Sequence, residues 1–512
     1  MSRTRRAGIT AVFGYLQFAL ALVSGIVLVP FVLAHVPNDL YGVWLAFGEL
    51  LAYSSMVDLG VVGVIPWLMA ENDGRGDREA MRGLLAGGVL FSAAAAAAFG
   101  ILAFVAFRLA PSVAHVTPAQ HAAISGPLVF LVVAMAVGMP LRTFYAGIIG
   151  LQDVTFSGAL SLVQVGLNVA LTLGLLLGGF GLYALAAATA LPGVVAGVAS
   201  LARLRRVAPD LLHGWRLPSL AAMRTMTAQG FGSWTAGLGW RMVAASDSII
   251  ILSVLGPGAA VVYAMTFKLG TVAMQMSWQL PDSGLVGLAQ LKGEGRPERV
   301  REVVVSLLRM ILITSGGVAC AIAAFNPSFV TLWVGPQRFG GFALNLMLAL
   351  VVLSHSLAHG LFTTSATLGT RVQAGWASLL QGAVNLCAAI LLGRLFGLAG
   401  IALAAVVSTA AVAYPAGVWM VCRTTGLPQR ELWRRALRPW ATRGGALLVL
   451  GTLVGLAMRA NVWLPLALAP VLALVYLWAM RPLYAGLPLP ARVRPWLARL
   501  RLVPEEVLSP KS

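Results

Sequence analysis

Charge is what this chain has least of. Only 10% of its 512 residues are Asp, Glu, Lys or Arg, against about 25% in ordinary soluble domains. Acid is scarcer than base, with 17 Asp and Glu against 36 Lys and Arg. There are three cysteines, Cys320, Cys387 and Cys422, all within or at the ends of apolar stretches. Their number and spacing exclude a disulfide framework and a structural zinc site. Long polar connections are missing as well, so no segment between apolar runs can build a soluble domain. The chain holds no phosphate-cradling glycine loop, nucleophile elbow or metalloprotease motif. Nothing points to covalent catalysis, so neither an enzyme nor a cofactor is expected.

What fills the chain instead is apolar sequence: 59% of it, with a mean hydropathy of +0.87. Stretches of roughly 20 apolar residues or more read as membrane spans. Fourteen are legible, at about 10–34, 41–69, 83–108, 122–146, 154–178, 181–202, 227–254, 260–290, 303–325, 340–366, 373–393, 397–421, 442–459 and 462–480. The fold class is therefore all-α, a polytopic membrane protein. The first apolar run continues past Pro30 to Ala34, too long for a secretory h-region, and reads as an uncleaved span.

The formal charge of +19 would suit a nucleic-acid binder, but its placement argues against one. Arg3, Arg5 and Arg6 precede span 1, and Arg75, Arg78 and Arg82 follow span 2. Arg203, Arg205, Arg206, Arg216 and Arg224 follow span 6, and Lys292, Arg296, Arg299 and Arg301 follow span 8. Arg423, Arg430, Arg434, Arg435 and Arg438 follow span 12. The alternate connections are nearly free of cations. By the positive-inside rule both termini are cytoplasmic. The basic excess marks topology and attraction to anionic membrane lipids, and no nucleic-acid partner is expected.

The second half of the chain repeats the first, about 220 residues later. Tyr41, an apolar span and the charged segment from Ala70 to Glu79 return as Tyr263, an apolar span and the segment from Ala289 to Glu298. Gln164 and Asn168 return as Gln381 and Asn385, and Phe180-Gly181-Leu182 as Phe396-Gly397-Leu398. Six spans separate corresponding positions, so the repeats run parallel, about an axis along the membrane normal, as the halves of some transporters do. The expected organisation is an N-terminal six-helix lobe at 1–202 and a cytoplasmic interfacial linker at 203–226. A C-terminal six-helix lobe follows at 227–422. A basic loop with two additional helices occupies 423–480, and a basic cytoplasmic tail 481–512. Transport along a path between the lobes is the functional expectation.

Polar groups inside spans are costly and mark function by default. At about 100° per residue, Lys268, Gln275, Gln279 and Asp282 share a narrow arc of span 8, a stripe about 21 Å long by the helical rise. On span 7, Gln229, Ser233, Trp240 and Asp247 share a face, with Arg241 about 100° away. Glu49 and Asp58 on span 2 point to opposite sides of a straight helix. Glu49 is expected to face a cavity with Tyr53, and Asp58 to be buried beside Ser54 and Ser55. His355 and His359 have the i, i+4 spacing of a metal pair but no third ligand, and read as a satisfied polar pair rather than a metal site. Gln164/Asn168 and Gln381/Asn385 are expected to hydrogen-bond between helices within each lobe.

Tyr41-Gly-Val-Trp44, Asp58-Leu-Gly60, Ala70-Glu71 and Gly76-Asp-Arg-Glu79 together resemble the polysaccharide-biosynthesis flippases of the O-antigen type. These belong to the multidrug/oligosaccharidyl-lipid/polysaccharide exporter superfamily, and the resemblance covers nearly the whole chain. It implies a MATE-like fold of two six-helix bundles around a central cavity, two extra helices and residence in the bacterial inner membrane. It implies movement of undecaprenyl-pyrophosphate-linked oligosaccharide to the periplasmic leaflet, beside polysaccharide polymerases and glycosyltransferases as partners. Such a head group cannot cross hydrocarbon without replacement of its water. Arg241 and Lys268 would meet the phosphates, and Gln275, Gln279 and Trp240 the sugars.

The rival readings each miss something. Drug antiporters of the superfamily place a coupling acid in the first helix, and span 1 has none. Lipid II flippases line their cavity with arginine in the first two helices, where this chain has no cation beyond residue 6. A membrane sugar polymerase needs large outer loops. If an H+ or Na+ gradient drives the cycle, Glu49 and Asp282 are the better coupling candidates. Asp247, near Arg241, reads as a counter-ion, with Asp58 in reserve. The topology is testable: reporter fusions after residues 37, 179 and 257 should read periplasmic, and those after 75, 210, 295 and 430 cytoplasmic. A cytoplasmic reading at 257 with a periplasmic one at 295 would contradict parallel repeats.

Overall fold

Hydrocarbon offers backbone groups no water, so each spanning segment satisfies its N–H and C=O groups internally as a helix. A computed structural model follows this rule throughout. It describes residues 3–487 apart from 53–56, 59, 114–115, 216–219, 245, 284, 286–287, 289–290, 293–295, 458–460 and 485–486. Every regular element among them is helical. Nine helices among the described residues are long and apolar enough to cross a membrane, and the chain is a multi-pass membrane protein. The described residues fall into two compact units. One comprises residues 1–238 and 252–260, the other 239–251 and 261–512.

In the first unit the chain runs through α1 (Arg3–His35), α2 (Asn38–Ala52), α3 (Val61–Arg75), α4 (Arg78–Val113), α5 (Pro118–Gly150), α6 (Val154–Leu177), α7 (Leu182–Val207) and most of α8 (Leu220–Ala244). The core at the arginine-rich end gathers Ile65, Met69, Met81, Leu85, Phe144, Ile148, Leu204 and Leu211, all buried. Two expectations change here. The charged segment at 70–79 is mostly helical, because α3 continues to Arg75 and turns on Gly76 at φ 71. Asp77 then accepts a hydrogen bond from Ala80 N at 2.9 Å to start α4. Span 2 is not one straight helix either. Val57 and Asp58 lie in a turn before α3 starts at Val61, so Glu49 and Asp58 do not share the register of one straight helix.

The second unit holds the end of α8, α9 (Asp247–Leu255) in part, α10 (Pro257–Ser283) from Val261, α11 (Pro297–Val334), α12 (Gly341–Thr367), α13 (Arg371–Ser408) and α14 (Tyr414–Thr425). The two additional helices, α15 (Arg438–Leu456) and α16 (Ala469–Ala479), are packed into this unit rather than appended to it. Gly316 of α11 leaves room for the Trp440 ring, with which a Cβ there would collide. Trp440 Nε1 donates to Tyr476 Oη at 3.3 Å, and Tyr476 Oη donates to the Ile313 carbonyl at 2.7 Å. The connections expected at 109–121 and 326–339 are shorter than their apolar limits suggested, since α4 runs to Val113 and α11 to Val334. Of the tail at 481–512, residues 488–512 lie outside the described residues.

The repeat read from sequence has a backbone counterpart. Gly181 lies at φ 53, ψ −126, and Gly397 at φ 60, ψ −141. This region is closed to side-chain-bearing residues except at a cost. In each repeat one glycine turns the chain between two spans. The amides recur too: Asn168 Nδ2 donates to the Ala188 carbonyl at 2.7 Å. Gln381 Nε2 donates to Thr409 Oγ1 at 3.0 Å, and Ser408 Oγ to Asn385 Oδ1 at 3.2 Å. A Cβ at either glycine would meet nothing within 4 Å, so only backbone strain opposes it. Gly181→Ala and Gly397→Ala should each lower stability by about 1–3 kcal/mol, read from thermal unfolding of the purified protein. Gly445→Ala, within a helix and equally unobstructed, should be neutral or stabilising.

Candidate functional site

The polar stripe of α10 looks in two directions along its length. Lys268, eleven residues into the helix, is half-buried. Among the described residues its ammonium group makes no hydrogen bond or ion pair. Two to three turns further on, Ser277 and Trp278 face α12 while Gln275 is exposed. Near the helix end Asp282 meets His359 of α12, with Nε2 2.9 Å from Oδ2 and 3.1 Å from Oδ1. By the helical rise Lys268 and Asp282 stand about 21 Å apart along the axis, too far for one to neutralise the other.

Around the Asp282–His359 pair stands an aromatic frame. The Trp278 ring stacks on His359 at 4.2 Å between centroids and 7° between planes. Its Nε1 donates to Ser356 Oγ at 2.9 Å, and Ser356 in turn lies 3.4 Å from Ser277 Oγ. Trp240 meets Trp278 edge-on at 5.4 Å and His355 at 5.5 Å. With two carboxylate oxygens at its Nε2 and one indole against its face, the His359 imidazole is held toward Asp282. The pair remains partly exposed, the His359 and Asp282 side chains at 22% and 36%, so it has contact with its surroundings.

The two histidines therefore do not form a pair with each other. Their i, i+4 spacing lets each meet a different neighbour on one side of α12. His359 binds Asp282, whereas His355 is buried beside Trp240 and its Nε2 has no hydrogen-bond partner. Sequence alone could not join His359 to Asp282, 77 residues away. The one available hint was that both sit within spans without a local partner.

The remaining candidates are distributed. Asp247 is separated from the helix bearing Arg241 and Trp240, because α8 ends at Ala244 and α9 starts at Asp247. The straight-helix register of span 7 is thereby lost, and with it the expected Arg241 partner. Instead the Tyr263 hydroxyl donates to Asp247 Oδ2 at 2.6 Å, while Oδ1 is buried with no hydrogen bond. Arg241 is half-buried and engaged in contacts of its own. Asp58 is 5% exposed and caps the turn into α3, its Oδ1 accepting from Gly60 N at 3.0 Å. The side chains of Glu49, Gln279, Gln229 and Ser233 lie outside the described residues, as do Tyr53, Ser54 and Ser55 altogether. No group of three metal-ligating side chains occurs among the described residues.

A double-mutant cycle tests the Asp282–His359 contact directly. Asp282→Asn and His359→Gln, singly and together, should show a coupling of about 0.5–3 kcal/mol in unfolding free energy. A sum of independent effects would mean that the pair is adjacent without being coupled.

No protein-family model matches the sequence, and no curated protein matches it. Solved structures do. The chain is similar to the lipid II flippase MurJ in an inward closed conformation, with a TM-score of 0.62 at 10% identity over 93% of this chain and 98% of that one. It is also similar to an inward-facing multidrug resistance MATE transporter of the MOP superfamily, with a TM-score of 0.61 at 16% identity over 80% and 95%. A MATE in the bent conformation aligns with a TM-score of 0.58 at 15% identity over 83% and 95%. At such identities the likeness establishes the fold: a MATE-like arrangement, all-helical, as the resemblance implied.

Proposed function

We propose that this chain is a membrane transporter of the flippase type, moving an undecaprenyl-pyrophosphate-linked oligosaccharide from the cytoplasmic to the periplasmic leaflet for surface polysaccharide synthesis. The observation that carries the reading is Lys268. A fixed ammonium in the middle of a membrane helix, with no anion or hydrogen-bond acceptor beside it among the described residues, pays the cost of burial without the usual compensation. An anionic ligand that arrives and leaves supplies the missing partner. A pyrophosphate has the required charge. The aromatic faces of Trp240 and Trp278 and the exposed Gln275 suit sugar rings and hydroxyls, and Arg241 adds a second cation.

The structural relatives support a lipid-linked over a soluble substrate. The lipid II flippase aligns with 93% of this chain, two MATE structures with 80% and 83%. Lipid II or a related lipid-linked saccharide is the second reading on the same observation. For coupling, the Asp282–His359 pair is the group assigned to proton or cation exchange, since its carboxylate and imidazole already share a hydrogen bond and remain accessible. Polymerases and glycosyltransferases are the enzymes that would receive and supply such a substrate.

Lys268→Ala should reduce glycan export about tenfold or more, the loss of a charge-assisted contact of about 1.5–3 kcal/mol, with protein abundance near wild type. Lys268→Arg should retain part of the activity, because charge is kept while geometry changes. Arg241→Ala should act in the same direction. Export at the wild-type level in the Lys268→Ala, Arg241→Ala double variant, measured as lipid-linked saccharide reaching the outer leaflet, would remove the phosphate-binding role.

A further inference from the structure

A pocket of about 630 Å³ opens at the arginine-rich end of the first unit, lined by Phe144, Leu201, Arg205, Pro209, Leu212, His213 and Trp215. It is built by the segment that follows α7. Leu211 is driven fully into the core, which pins the short 3-10 turn Pro209–Leu212 against the bundle. Trp215 is then laid over Phe144, with ring centroids 6.3 Å apart and planes at 21°. The Trp215 Nε1 proton is spent on the Leu211 carbonyl at 2.8 Å, so the indole offers the pocket apolar surface. His213 donates from Nδ1 to the Pro209 carbonyl at 2.7 Å, which leaves Nε2 as its remaining polar atom.

The charge balance in this pocket is one-sided. Arg203, two residues before Arg205, is neutralised by Asp153 at 2.9 Å. Asp210, the acid nearest in sequence, lies outside the lining and reaches toward Arg78 at 4.0 Å. Arg205 itself is exposed and has no ion pair or hydrogen bond among the described residues. The pocket thus joins a free guanidinium to walls of Phe, Leu and Trp. Its depth also fits a membrane boundary. Arg205 lies in the last turn of α7, whereas Phe144 is six residues, about 9 Å by the helical rise, before the end of α5.

We propose that this pocket binds an anionic phospholipid of the cytoplasmic leaflet. The phosphate sits against Arg205 and the His213 ring, and the first carbons of an acyl chain lie along Phe144, Leu201 and Trp215. A free phosphate ion would leave those apolar walls in water, whereas a lipid covers them. Tryptophan at the head-group level is the usual anchor at such a boundary, and a basic pocket beside a helix end is the usual shape of a lipid head-group site.

The full-length protein in detergent is the material for the test, read by native mass spectrometry. It is titrated with phosphatidylglycerol or phosphatidylcholine of identical acyl chains. At least one phosphatidylglycerol should be retained in preference to phosphatidylcholine. Arg205→Glu should lower that retention about fivefold or more, the loss expected when one cation near the surface is worth about 1 kcal/mol. Arg434→Glu, the same charge change at an exposed arginine elsewhere, should leave it unchanged. Arg205→Gln serves where charge reversal disturbs folding, and should lower retention in the same direction. Millimolar inorganic phosphate should not displace the lipid. Equal retention of the two lipids, equal loss in Arg434→Glu, unaltered retention in a monodisperse Arg205→Gln, or displacement by phosphate would each overturn the proposal.

Discussion

The structure depends on one constraint: within hydrocarbon, a polar group must find its partner in the protein. For the backbone this means helices, and the described chain contains no other regular element. For side chains it means that each polar group must be matched by another across helices. Asn345 illustrates the rule. Its Oδ1 accepts from Asn326 Nδ2 at 2.8 Å, and its Nδ2 donates to the Ile322 carbonyl at 3.1 Å. Against this background the half-buried Lys268 is informative because it breaks the rule.

The two repeats share their scaffold but not their polar cargo. The turn glycines Gly181 and Gly397 adopt nearly the same backbone conformation, and the paired amides cross-link helices in both. Tyr263, however, holds a buried carboxylate, Asp247, sixteen residues earlier. The position sixteen residues before Tyr41 is Gly25. The Asp282–His359 pair and its tryptophan frame likewise belong to the second unit alone. The recurrent framework thus carries different polar groups in the two units among the described residues. The additional helices are packed on the second unit, through Trp440 and Tyr476 on α11.

The all-helical, multi-pass membrane class and the recurrence of turn glycines and paired amides were legible in the sequence, since hydropathy and recurrent Gly, Gln and Asn each report a local or strictly periodic property. Lys268 and Gln275 were singled out the same way, because a stripe on one helix follows from the rise and twist alone. Only the tertiary structure decided which polar groups meet. A bend at Ser246 removed Asp247 from the face it shares with Trp240 in a straight helix and gave it Tyr263. His359 found Asp282 across 77 residues, not His355 across four. The physical reason is that helical periodicity fixes direction around an axis. Partners are fixed by how axes pack and where helices bend, and those depend on close contacts between residues far apart in the chain.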